Sequence, residues 1–100
     1  MRSMFGNARA FNGDLSRWDV RNVTDAERMF AGAAAFNGDL SGWKVGAVRK
    51  MGYMFAGAAA FNGDLSLWDV RNVMSTGNMF RNAVAYRPAR AIGSRAAWRV

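Results

Sequence analysis

The sequence repeats itself every 25 residues, without a gap. Phe11-Asn12-Gly13-Asp14-Leu15-Ser16 returns at 36–41 and again at 61–66. Trp18, Trp43 and Trp68 follow at a fixed offset, then Val20, Val45 and Val70, then Val23, Val48 and Val73. The pair Met4-Phe5 recurs as Met29-Phe30, Met54-Phe55 and Met79-Phe80. Segments 11–35 and 36–60 are identical at 16 of 25 positions, which chance does not produce. A fixed period of this length marks units too small to bury their own apolar faces, so neighbours must stack. The chain divides accordingly into a partial repeat at 1–10, three tandem repeats at 11–85 and a divergent basic segment at 86–100. In that last segment Tyr86 stands in place of the repeat's Phe and Arg87-Pro88-Ala89-Arg90 breaks the motif, leaving either an irregular cap or a tail. Arrays of this kind normally carry dedicated polar caps, so the reading favours a fragment of a longer array or a short gene product.

Two periodicities follow one another within each unit. Leu15, Trp18 and Val20 end in an apolar–polar–apolar alternation, the pattern of a short strand with one buried face. Ala26, Met29, Phe30 and Ala33 then recur at the spacing of one helix face, behind a Thr24–Glu27 capping box. The Asn-Gly pair after the alanine run suits a tight return, because both residues tolerate positive φ. The expected fold is therefore an α/β solenoid of 25-residue units. Its short parallel strands are centred near Trp18-Asp19-Val20, Trp43-Lys44-Val45 and Trp68-Asp69-Val70. One helix per unit follows, over 24–34, 49–59 and 74–84. Stacking in register places Trp18, Trp43 and Trp68 in one column and Phe11, Phe36 and Phe61 in another, with Phe30 and Phe55 completing the repeat core. The residue after each Trp is Asp19, Lys44 and Asp69 in turn, and alternating signs on adjacent strands attract.

The unit F-N-G-D-L-S-x-W-D-V-R-N-V, followed by a segment containing M-F, resembles the repeat of the BspA-type leucine-rich-repeat family of surface proteins. The likeness covers residues 4–85, with Arg21 and Arg71 where that family has serine and a degraded Lys44–Val48 stretch in the second unit. The resemblance implies a leucine-rich-repeat-like β/α solenoid. It also implies a cell-surface or secreted setting, with adhesion or host interaction as the activity of those members that have one.

Catalysis finds little to work with. The chain holds no cysteine and no histidine, which removes the thiolate nucleophile, the disulfide and the commonest metal ligand and general base. Asp14, Asp39 and Asp64 stack, but they recur because the motif recurs, as turn-forming residues do. Ca²⁺ wants six to eight oxygens, and the short Asn-Gly-Asp turn offers few. Asn12, Asn37 and Asn62, with Ser16, Ser41 and Ser66, read as ladders satisfying backbone groups along the stack. The Trp column is a stacking platform for bases or sugars only if it faces solvent, and sharing a face with Val20 argues for the core. No catalytic residue, cofactor or metal site is expected.

The formal charge of +7 is unevenly placed. Arg81, Arg87, Arg90, Arg95 and Arg99 sit in the last 20 residues with no acid, while the first 80 hold nine basic against seven acidic residues. Apolar runs are only a few residues long, so no membrane span is expected, and no signal-peptide pattern opens the chain. Two functions remain. The first is a non-enzymatic interaction module offering a rigid surface to a protein or glycan partner. The second is a polyanion binder, for nucleic acid or an anionic surface, acting through those five arginines. Open ends of a stack expose apolar surface and strand edges, so self-association is expected as well.

Overall fold

The computed structural model describes residues 2–86. Its units are rungs: rung 1 spans 11–35, rung 2 spans 36–60 and rung 3 starts at 61, with a partial rung at 2–10. Each rung is a run of β-turns. In rung 1 the N–H groups of Trp18, Val23, Met29, Ala31, Ala33 and Phe36 donate to the carbonyls of Leu15, Val20, Ala26, Arg28, Phe30 and Ala33, at 3.0–3.2 Å. Every one of these bonds spans three residues rather than the four of an α-helix. The same turns recur in rung 2, from Trp43→Leu40 to Phe61→Ala58, and in rung 3, from Trp68→Leu65 to Tyr86→Ala83.

The intervening residues bond across rungs. The N–H groups of Ala26, Arg28, Phe30 and Gly32 donate to the carbonyls of Lys50, Gly52, Met54 and Ala56, at 2.7–3.0 Å. Met51, Tyr53, Phe55 and Gly57 donate in the same way to Ser75, Gly77, Met79 and Arg81. Ser3, Phe5 and Asn7 of the partial rung donate to Glu27, Met29 and Ala31. Successive N–H groups thus alternate between a local turn and the neighbouring rung. Parallel bridges join Asp25 to Lys50 and Lys50 to Ser75, in the register set by the repeat.

The α/β solenoid with a helix in every unit is not the fold. Among the described residues no helix forms over 24–34, 49–59 or 74–84, and no strand forms at Trp18–Val20, Trp43–Val45 or Trp68–Val70. The bridges lie instead at the start of the segments expected as helices. Two physical causes account for this. Arg28 and Tyr53 have φ of 57°, and Gly32 and Gly57 have φ of 75° and 73°. Two left-handed residues four apart forbid a right-handed helix, whose φ stays near about −63°. Side-by-side helices also need axes about 8–10 Å apart, whereas these segments are joined directly backbone to backbone, Phe30 N–H to Met54 O at 2.8 Å and Gly32 N–H to Ala56 O at 2.7 Å. The helical spacing is real but serves another end: Ala26, Met29, Phe30 and Ala33 are all buried, because tandem turns carry the same residues inward. Thr24 and Glu27 cap no helix; Thr24 O accepts N–H bonds from Arg49 and Lys50.

The interior is apolar throughout, with no buried polar or charged residue among those described. Aromatic columns run along it. Phe30, Phe55 and Phe80 stack at 5.4 and 5.6 Å, Phe36 and Phe61 at 6.0 Å, and Trp43 on Trp68 at 6.5 Å. Each of the last two indoles also donates its ring N–H to a leucine carbonyl of the preceding rung, Trp43 to Leu15 and Trp68 to Leu40, both at 2.9 Å. Trp18 differs from its column mates, being 37% exposed, and tilts against Phe5 at 5.6 Å.

Candidate functional site

The polar chemistry of the molecule lies on the outside of the turns. After each Asn-Gly corner an aspartate closes a side-chain turn: Ser16, Ser41 and Ser66 donate their N–H groups to Oδ1 of Asp14, Asp39 and Asp64, each at 2.9 Å. The Ser41 hydroxyl adds a 2.7 Å bond to Asp39. Bonding from Ser16 and Ser41, hydroxyl first and N–H second, lowers the pKa of Asp14 and of Asp39, although for Asp39 the charges of Asp14 and Asp64 pull the other way. Both carboxylates are therefore ionised at neutral pH, the reverse of what a general acid requires. Among the described residues no three acidic side chains group to hold a metal ion.

A second row pairs Asp19 with Arg21 and Asp69 with Arg71. The Arg21 guanidinium reaches Asp19 at 2.8 and 2.9 Å and its N–H adds a third bond, which pushes the Asp19 carboxyl down to about 2. The Arg71 N–H and then its guanidinium lower Asp69 in the same way. Among the described residues these ion pairs run within a rung, not along the expected Asp19–Lys44–Asp69 column. Rung 2 has Gly46 at the arginine position, so the second pairing is missing there. Exposed pairs of this kind contribute little to stability.

Asparagines form a third row. Asn37 N–H donates to Asn12 Oδ1 and Asn62 N–H to Asn37 Oδ1, both at 2.8 Å. The glycines beside them are not at positive φ, contrary to the sequence reading. They are glycines because a Cβ at Gly13, Gly38 or Gly63 would lie 2.8–2.9 Å from the ring of Phe11, Phe36 or Phe61.

The residues expected to form the repeat core separate into two groups. Phe30, Phe36, Phe55, Phe61, Trp43 and Trp68 are buried, and with Trp43 and Trp68 covering one another neither presents a ring face to a sugar or base. Trp18 is half open. Of the candidate polyanion contacts, Arg81 is exposed at the end of the cross-rung ladder, where its carbonyl accepts from Gly57. Arg87, Arg90, Arg95 and Arg99 lie outside the described residues. Sequence reasoning missed one exposed contact: Arg28 lies 4.5 Å over the Tyr53 ring, and the Asn78 side-chain amide donates to the Tyr53 hydroxyl at 3.1 Å. No helix among the described residues is long and apolar enough to cross a membrane.

A stack of near-identical turn-built rungs, apolar inside and with rows of aspartate and asparagine side chains accepting from its own backbone, is a tandem-repeat protein. The chain belongs to the family described as "Mycoplasma protein of unknown function, DUF285", whose model matches residues 1–91. Neither the curated proteins nor the solved structures contain a match to it.

Proposed function

We propose that this chain is a non-enzymatic scaffold whose side surface binds a protein or glycan partner at a cell surface or in a secreted setting. The observation that carries the reading is the apolar interior, in which no polar or charged residue among those described is buried. Along its outside the described stack repeats the rows Asn12, Asn37, Asn62 and Asp14, Asp39, Asp64, while the positions of Asp19, Lys44 and Asp69 vary from rung to rung, which gives a regular surface with local differences for a partner to read. The motif resemblance to BspA-type surface proteins supports the setting.

Binding of the full chain to immobilised glycans and to extracellular-matrix proteins tests the proposal. A saturable partner whose binding changes little with salt, and falls in an Arg28→Ala/Tyr53→Ala variant of unchanged thermal stability, supports it. Binding that instead collapses steeply with salt, and survives that variant, supports the polyanion reading through Arg81, Arg87, Arg90, Arg95 and Arg99.

A further inference from the structure

The corners of the stack carry a chemically labile dipeptide that the packing requires. At Asn12-Gly13 and Asn37-Gly38 the glycine is held by the phenylalanine ring two residues before it, since a Cβ there would sit at 2.8 Å. The asparagine is held by the ladder, its Oδ1 accepting a 2.8 Å bond from the next rung. Glycine after asparagine also removes the side chain that shields an asparagine amide from its neighbour's backbone nitrogen. Both asparagines are solvent-exposed, so water is at hand. The ladder bond aims each side-chain carbonyl along the stack, toward the next rung. Ring closure needs the same Cγ turned back onto the glycine nitrogen of its own rung. The two positions exclude one another.

We propose that Asn12-Gly13 and Asn37-Gly38 are succinimide-forming modification sites, held closed by the asparagine ladder and opened when a rung unstacks. In the step, the glycine nitrogen attacks the asparagine Cγ and the new N–Cγ bond forms. The Cγ–Nδ2 bond breaks, and ammonia leaves with the proton from the glycine nitrogen. Water then adds across one of the two imide C–N bonds. Opening on one side gives aspartate, which keeps an acceptor for the ladder. Opening on the other gives isoaspartate, which inserts a methylene into the main chain between the corner and the Asp14 or Asp39 turn. That insertion breaks the register on which every column depends, so a transient opening becomes a permanent mark.

Peptide mapping by mass spectrometry of the full chain, incubated at neutral pH in native buffer and in concentrated urea, tests the proposal. Asn22-Val23 is the internal ruler, since its branched neighbour shields it in both conditions. In urea, Asn12 and Asn37 are expected to convert well ahead of Asn22. In native buffer they are expected to convert about tenfold or more slowly than in urea, as local protection dictates. A Leu40→Ala variant, opening its rung more often, is expected to recover part of the urea rate at Asn37, in step with faster hydrogen exchange of the Asn62 N–H that clamps it. Equal rates with and without urea overturn the proposal. So does conversion in urea no faster than at Asn22.

Discussion

Arg28 and Tyr53 hold the left-handed conformation where most side chains avoid it, and their column neighbours Ser3 and Asn78 do so too, at φ of 57° and 55°. The next left-handed column is cheaper, because it reads Asn7, Gly32, Gly57 and Asn82, the residue types that visit this region most readily. A Cβ at Gly57 would meet the Gly32 backbone at 3.5 Å, an ordinary van der Waals contact, so only the backbone conformation objects. Gly57→Ala is therefore expected to cost about 1–2 kcal/mol, and Gly57→Asn less, in urea denaturation. The aspartates give a second expectation. Asp39→Ala should lower the midpoint more than Asp39→Asn, which keeps an acceptor for the Ser41 N–H. Asp19 gives a third, in pH. Its folded pKa is about 2 against an ordinary 3.8. A depressed pKa contributes stability that is complete above the ordinary value and is lost as pH falls toward the folded one. Acid titration of stability should accordingly be shallower between those values in Asp19→Asn than in the parent.

At the scale of the rung, burial and hydrogen bonding fall on the same residues. Trp43 is 4% exposed and bonded through its indole to Leu15 O, whereas Trp18 is 37% exposed. Trp43→Ala is expected to cost about 3–5 kcal/mol, and Trp18→Ala clearly less, by thermal or urea unfolding. A loss at Trp43 below about 1 kcal/mol would contradict its place in the core. The rung also shows what a sequence can and cannot tell. Which residues point inward was legible, since Ala26, Met29, Phe30 and Ala33 are spaced for one buried face and are buried. The kind of element was not, because tandem turns satisfy the spacing of one helix face as well as a helix does. The signal that separates them was present in the column Asn7, Gly32, Gly57, Asn82, where only a left-handed backbone explains the exchange of glycine with asparagine. The Asp14, Asp39 and Asp64 turns could be read from their neighbours in sequence. The Arg28–Tyr53 contact could not, since it joins different residue types in one column across a rung boundary.

At the scale of the whole described stack, residues 2–86, each rung touches its neighbours through the same columns, and the 25-residue register is what keeps those columns aligned. Duplicating residues 36–60 is expected to leave the fold intact and raise the unfolding midpoint, whereas inserting the same segment one residue short should misalign every column and lower it. The alternation of local and cross-rung bonds is the feature on which all of this rests, and NMR reads it directly. Scalar couplings across hydrogen bonds are expected from the Phe30 nitrogen to the Met54 carbonyl and from the Gly32 nitrogen to the Ala56 carbonyl, with none from Phe30 to Ala26. A coupling from Phe30 to Ala26, with the neighbouring nitrogens coupled four residues back in the same way, would mean a helix after all and would contradict the turn-built stack.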